Sequence, residues 1–496
     1  MNEGVDRSNS GNALAVWASA GAVAGVGTWL LFDGMPGLNW FLWTATAALG
    51  AVALLQHIGR PLTRLSIAMM TVAVIMAGGA AISANEMILF LVFLSIVLFL
   101  AMGMLLAVDG RIDRLSLGFV VFAPIVAWAR AVFESIRRIG EGSQLVRSPG
   151  ARATLRGIAI SAPVVLIFAL LLAGADPVFA RWRDELGRIL EDLTFLPRTI
   201  FFIALLTMVL GAYGDMARGS DGNSGVQLPA LPATRWLGAT ERLILLGSVA
   251  VLFWIFLAVQ LSYLFGNLPE VPGSGVTFAD YARRGFAELT IVATCTVLLI
   301  ILSERYGQVN GRERVFRGLT MSIVIAVVLL LASAFHRVAL YEAAYGYTTS
   351  RLYAQVYMIV VAVTLGALAL EVIHGIDPRR LFRRAGLAAL IALMVLTYWN
   401  HEAWIARVNI ARFAATGKLD TVYLTRDLSP NAVPTVMRLL PTLPQPAQDQ
   451  LRTAVKLRYE GRSRLKPRAW IEWNLGRAKA VEALEEAGIS LEPRSP

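Results

Sequence analysis

The sequence predicts an all-α protein: a polytopic transmembrane helix bundle of about eleven spans, followed by a small C-terminal soluble helical domain. Three observations carry that expectation. Of 496 residues, 56% are hydrophobic and only 16% charged, against about 25% charged in an ordinary soluble domain. Uncharged runs recur between Ala13 and Tyr398, many near the roughly 20 residues a helix needs to cross a hydrocarbon core. Past Tyr398 the composition changes abruptly, and charged residues become frequent.

Taken in order, the runs fall at about 13–32, 38–56, 65–84, 87–108, 157–175, 199–213, 243–264, 289–302, 318–335, 354–373 and 385–398, each bounded by charge or by Gly/Pro turns. Helices are the expected form, because in lipid every backbone polar group must be satisfied within the segment. Residues 1–12 carry Asp6 and Arg7 without a basic leader and cleavage site, so the first run reads as a retained anchor. A further run at 115–133 lies between two basic loops, one with Arg111 and Arg114, the other with Arg137 and Arg138. Lys and Arg near span ends resist translocation, so a crossing there would put those loops in opposite compartments. It is therefore expected to be interfacial or re-entrant, in keeping with Pro124 and Arg130 inside it. The other basic loops, at 60–64, 312–317 and 379–384, then place the N-terminus in the cytoplasm and the C-terminal segment outside, at a bacterial cytoplasmic (inner) membrane.

Residues 1–400 thus form the expected bundle and 401–496 an exoplasmic domain of four or five helices. Apolar residues in the latter recur at helical spacing, as in Trp404, Val408, Ile410 and Phe413. Gly417, Gly461 and Gly488 are placed to end helices, and Ser429-Pro430 to start one. Trp470, Trp473 and Leu475 are the expected core contributors.

Composition also bounds function. The +11 excess of basic residues is explained by contact with anionic membrane lipids before nucleic acid, which is not expected as a partner. Cys295 is the single cysteine, and His57, His336, His374 and His401 are scattered. No disulfide, metal site or cofactor follows from them. There is no Gly-x-Ser-x-Gly elbow and no Walker-type loop. An enzyme is the minority reading, in the form of a membrane-embedded transferase for a lipid-linked substrate. A small-molecule or lipid transporter should hold ionisable residues inside its spans, whereas Glu86, Glu241, Glu288, Glu304 and Glu371 sit near span ends. The leading expectation is a binding, sensory or assembly role in the cell envelope, with 401–496 available to an envelope protein partner.

Three polar clusters fall on the expected outer side. Asp176 lies in Ala-Asp-Pro-Val-Phe at 175–179, read as a helix end with a turn. Arg283 and Arg284 lie in Tyr-Ala-Arg-Arg-Gly-Phe-Ala-Glu at 281–288, read as an interfacial anchor. The richest cluster spans 336–351. On a helix Arg337, Tyr341 and Tyr345 share one face. Gly346 would then supply a left-handed cap, and Thr348 would cap the next helix. With Arg337 and Arg351 beside a helix N-terminus, the cluster makes a candidate anion site, closed by Arg283 and Arg284, with Glu342 and Asp176 orienting the guanidinium groups. The alternative is a structural hairpin in which Glu342 pairs with an arginine and the tyrosines form an aromatic belt.

Together with Leu-Phe-Asp-Gly-Met-Pro-Gly-Leu-Asn at 31–39, Ile-Ala-Arg-Val-Asn-Ile-Ala-Arg at 405–412, Gly-Lys-Leu-Asp at 417–420 and Tyr423-Leu424, these clusters resemble a bacterial integral-membrane family catalogued as a domain of unknown function, number four-one-seven-three. The chain departs from that pattern at Tyr347, where Leu is expected, and in having His336 before the arginine. The resemblance implies an uncharacterised multi-pass membrane protein with an exoplasmic extension, and it implies no activity, cofactor or catalytic residue.

Overall fold

A computed structural model describes residues 2–60, 62–109, 117–142, 195–219, 235, 237–265, 286–375 and 377–492. Among them there is no strand beyond an isolated bridge pairing Leu237 with Gly307. Ten described helices are long and apolar enough to cross a membrane, and they coincide with ten of the expected runs; the run at 157–175 lies outside the described residues. The protein is a multi-pass membrane protein. The chain divides into two compact units, one of Met1–Arg114, Gly118–Val226 and Arg464–Ala478, the other of Leu115–Leu117, Gln227–Ser463 and Lys479–Pro496. The segment 401–496, expected as one domain, is thus shared between them.

In the first unit, helices α1 (Asn2–Leu31), α2 (Leu38–His57), α3 (Arg64–Ile82), α4 (Glu86–Asp109) and α6 (Phe195–Arg218) pack together, α1 against α2 and α6, and α3 against α2 and α4. Small residues let the backbones approach, which is how helices gain contact in lipid: Ala73, Ala77 and Ala80 are fully buried on α3. Ser66 donates from Oγ to the Gly103 carbonyl at 2.6 Å, tying α3 to α4. Asn39 donates to the Leu30 carbonyl at 3.0 Å, satisfying an acceptor left open where α1 ends.

Helix α5 (Leu117–Gly142) runs through Pro124 and is not among the ten candidate spans. It meets α6 where Gly211 and Gly214 offer no side chain; a Cβ on Gly211 would collide with the Ala131 carbonyl. The contact is strongly charged. Glu134, 3% exposed, binds Arg137, Arg138 and Arg218, and Arg130 pairs with Asp215 at 2.9 Å.

The distant segment Arg464–Ala478 completes this unit at the α1–α2 turn. Leu38 N donates to the Trp473 carbonyl at 3.0 Å and Met35 N to Glu472 Oε1 at 3.3 Å. Asn474 donates from Nδ2 to the carbonyls of Ala80 at 2.7 Å and Ser83 at 2.9 Å. Arg477 donates from Nη2 to the Pro36 and Glu472 carbonyls, both at 2.7 Å. This docking overturns one expectation: Trp470 and Trp473 are 64% and 40% exposed rather than core. Backbone bonds and the buried Ile471, Glu472 and Asn474 hold the segment, leaving both indoles outside.

In the second unit, α9 (Glu313–Tyr345) is central, packed by α7 (Ala239–Phe265), α8 (Phe286–Tyr306) and α10 (Thr349–His374), with α11 (Pro378–Tyr398) against α10. Ile323, Val327, Leu330, Leu365 and Leu368 form its apolar core. Two charge clusters occupy one end of these helices. Arg242 is buried, paired with Glu304 and stacked 4.4 Å from the Phe316 ring centroid. Glu371 accepts both forks of Arg380 at 2.6 Å and Arg384 at 2.8 Å.

The remaining tail helices are α12 (His401–Thr416), α13 (Val433–Leu439), α14 (Gln445–Tyr459) and α15 (Leu475–Glu486). Gly417 ends α12 with φ 63° and ψ 7°, a left-handed cap that glycine adopts without steric cost. Gly461 and Gly488 also have positive φ, and Ser429 caps the turn leading into α13. These four positions behave as the sequence predicts.

Candidate functional site

The α9–α10 hairpin at Tyr345–Thr349 brings most of the expected site residues together. The Tyr341 and Tyr345 rings lie 4.8 Å apart, as their spacing on one helical face requires. The Arg351 guanidinium sits 4.1 Å above the Tyr341 centroid and also donates to the Gly346 carbonyl. Arg337 is half-buried one turn before Tyr341. Gly346 ends α9 with φ 87° and ψ 172°, so its φ is positive but its ψ is extended, a combination favouring glycine. A Cβ there would also meet Asn409 Oδ1 at 2.8 Å. Thr348 caps α10, accepting from Arg351 N.

Glu342 is buried, 2% exposed. It accepts from Gln355 Nε2 at 2.8 Å through Oε2, while Oε1 has no hydrogen-bond partner. Its hydrogen-bond donor is thus the Gln355 amide. Asp176, Arg283 and Arg284 lie outside the described residues.

The tail supplies residues that were not assigned a role from sequence. Asn409 on α12 accepts from Tyr347 N at 2.7 Å and donates to the Tyr347 carbonyl at 2.8 Å, a side chain reproducing a backbone pair. Arg412 donates to the carbonyls of Ala343 and Ala344, filling acceptors that the end of α9 leaves open. Tyr423 accepts from Thr349 N at 2.7 Å and donates to Thr349 Oγ1 at 3.5 Å, and burial pushes its hydroxyl above the ordinary phenol value. His401 meets Tyr353 at 3.0 Å, with burial lowering its imidazole below the usual range. The motif at 405–412 held the signal for Asn409 and Arg412, but nothing in it says which turn they reach.

Two of the N–H groups at the start of α10 are therefore occupied, one by Tyr423 and one by Thr348. What the cluster offers a ligand is different: stacking on Tyr341 engages the face of the Arg351 guanidinium, and one donor is spent on Gly346. A guanidinium carries five N–H donors in its plane, so edge donors remain, beside an exposed Tyr345.

No curated protein and no solved structure matches the chain. A family model matches residues 70–439, from within α3 to the end of α13, and so includes the hairpin and the 405–412 motif. It is a family of unknown function, as the motifs suggested, but its number is corrected from four-one-seven-three. The chain belongs to the family described as Domain of unknown function (DUF4153).

Proposed function

We propose that this protein has a binding, sensory or assembly role in the bacterial cell envelope, recognising an anionic lipid or lipid-linked group at the α9–α10 hairpin. The observation that carries the reading is Arg351: its face lies on Tyr341 while in-plane donors remain, and an arginine fork matches phosphate bidentately. Arg337 on the preceding turn adds charge of the same sign. Native mass spectrometry of wild type, Arg337→Lys and Arg351→Lys in one detergent tests it. Both variants keep the charge and lose the fork, so the expected result is weaker co-purification of anionic lipid from a folded protein. Equal retention in all three overturns the reading.

A second reading, transport of a small molecule or lipid, is favoured by Glu342, whose bare Oε1 is buried within a candidate span. Ionisable groups in such positions commonly mark substrate or proton paths. Loss of lipid retention in both arginine variants, together with unchanged retention in Glu342→Gln, separates headgroup binding from that path.

The membrane is proposed to be the bacterial cytoplasmic one, with the hairpin outside. In the second unit Arg242, Arg305, Arg312, Arg314, Arg317, Arg379, Arg380, Arg383 and Arg384 all lie at the ends of α7–α11 opposite the hairpin, as retention of basic residues in the cytoplasm favours. A phosphatase reporter fused after Pro496 is expected to be active and a cytoplasmic reporter silent. The reverse pattern moves the hairpin inside and removes an outer-leaflet ligand.

A further inference from the structure

Residues 464–474 join the first unit at a depth set by its helices. Trp29 lies in the last turns of α1, a candidate span, and is exposed on the helix surface. Trp470 packs against it with ring centroids 6.4 Å apart. The chain after Trp470 is fixed to the same turn through Glu472 to Met35 and Trp473 to Leu38, and the chain before it through Arg468 to Asp33. A surface flanking the end of a spanning helix meets headgroups, where indoles are favoured because they present an apolar ring and one N–H donor. Trp470 and Trp473 are exposed there, and so are the side chains of Arg464, Lys466 and Arg468 on the approach. The acidic Glu472 in the same stretch is buried and the exposed Asp33 is paired with Arg468 at 2.9 Å, so Arg464 and Lys466 carry the basic charge beside the two indoles.

We propose that residues 464–474 form an in-plane anchor seated on an anionic phospholipid surface, with Trp470 and Trp473 in the headgroup region and Arg464 and Lys466 facing lipid phosphates. Charge complementarity selects that partner, because basic side chains at a membrane surface are drawn to anionic leaflets. The inference is independent of the hairpin reading, resting on other residues in the other unit.

The test uses the full chain in nanodiscs of phosphatidylcholine with or without phosphatidylglycerol, the lipids brominated near the top of the acyl chain. Subtracting the emission of W470F/W473F from that of wild type isolates the two indoles; W470F alone serves if the double variant does not fold. The expected difference signal is blue-shifted, loses most of its intensity to brominated lipid, and is quenched more in phosphatidylglycerol. R464Q/K466Q is expected to abolish the phosphatidylglycerol dependence. A signal quenched by aqueous iodide and untouched by bromine overturns the anchor. Unchanged phosphatidylglycerol dependence in R464Q/K466Q, or none in wild type, overturns its charge selectivity. Neither outcome alters lipid retention at the hairpin, so the two proposals fail separately.

Discussion

Replacing Glu134 by alanine is expected to lower the stability of the first unit by about 3–5 kcal/mol, the usual cost of removing one partner from a buried ion pair. The reason is the company Glu134 keeps. Its carboxylate is the shared counter-ion of Arg137, Arg138 and Arg218. Arg138 is the one that suffers most, being nearly buried and bonded also to the Gly214 carbonyl at 3.1 Å; Arg137 and Arg218 are more exposed and can turn toward solvent. Thermal unfolding in a fixed detergent measures the effect. Glu134→Ala combined with Arg138→Met should recover part of the loss, since the stranded charge is then gone. A single variant that melts with wild type would show that α5 does not depend on this cluster for its place on α6.

Asn474→Ala is expected to free residues 464–478 from the rest of the first unit. The side chain makes three hydrogen bonds, two donated to the carbonyls of Ala80 and Ser83 and one accepted from Arg477 N at 2.9 Å. With a net value of about 1 kcal/mol each, and more where a buried acceptor is left unpaired, the loss is about 3–5 kcal/mol. Trypsin should then cut in Arg462–Arg468 many times faster than in wild type. Gly37→Ala reaches the same end by a separate route, because its Cβ would lie 2.6 Å from the Glu472 carbonyl oxygen and 2.8 Å from that of Trp473. Unchanged cleavage in both variants would mean that these contacts do not hold the tail.

The spans were legible because a membrane imposes one strong local rule: an apolar run of a given length must close its own hydrogen bonds. The stops at Gly417, Gly461 and Gly488, the caps at Thr348 and Ser429, and the pairing of Tyr341 with Tyr345 were legible for a related reason, since each depends on neighbours a few residues away. The division of the tail was not. Trp470 and Trp473 look like core residues in a stretch with helical spacing, and only bonds to Leu38, Met35, Ala80 and Ser83 decide otherwise. Such bonds leave no periodic trace. The same holds at the hairpin. Its residues were found from their density of polar groups, whereas the side chains that occupy its carbonyls and N–H groups come from Asn409, Arg412 and Tyr423, which the sequence placed in a separate domain.

The clasp at the α1–α2 turn also orders the protein's manufacture. Met35 waits for a partner 437 residues downstream, and Ala80 for one 394 residues away. Contacts of such separation form late, because the intervening chain must exist and be drawn together before they yield anything. Helices made early in this stretch are thus finished late, and a nascent chain stopped before Arg464 would present the turn's amides at Met35 and Leu38 uncovered. Completion of the first unit is therefore a report that the chain has been made at least as far as residues 464–478.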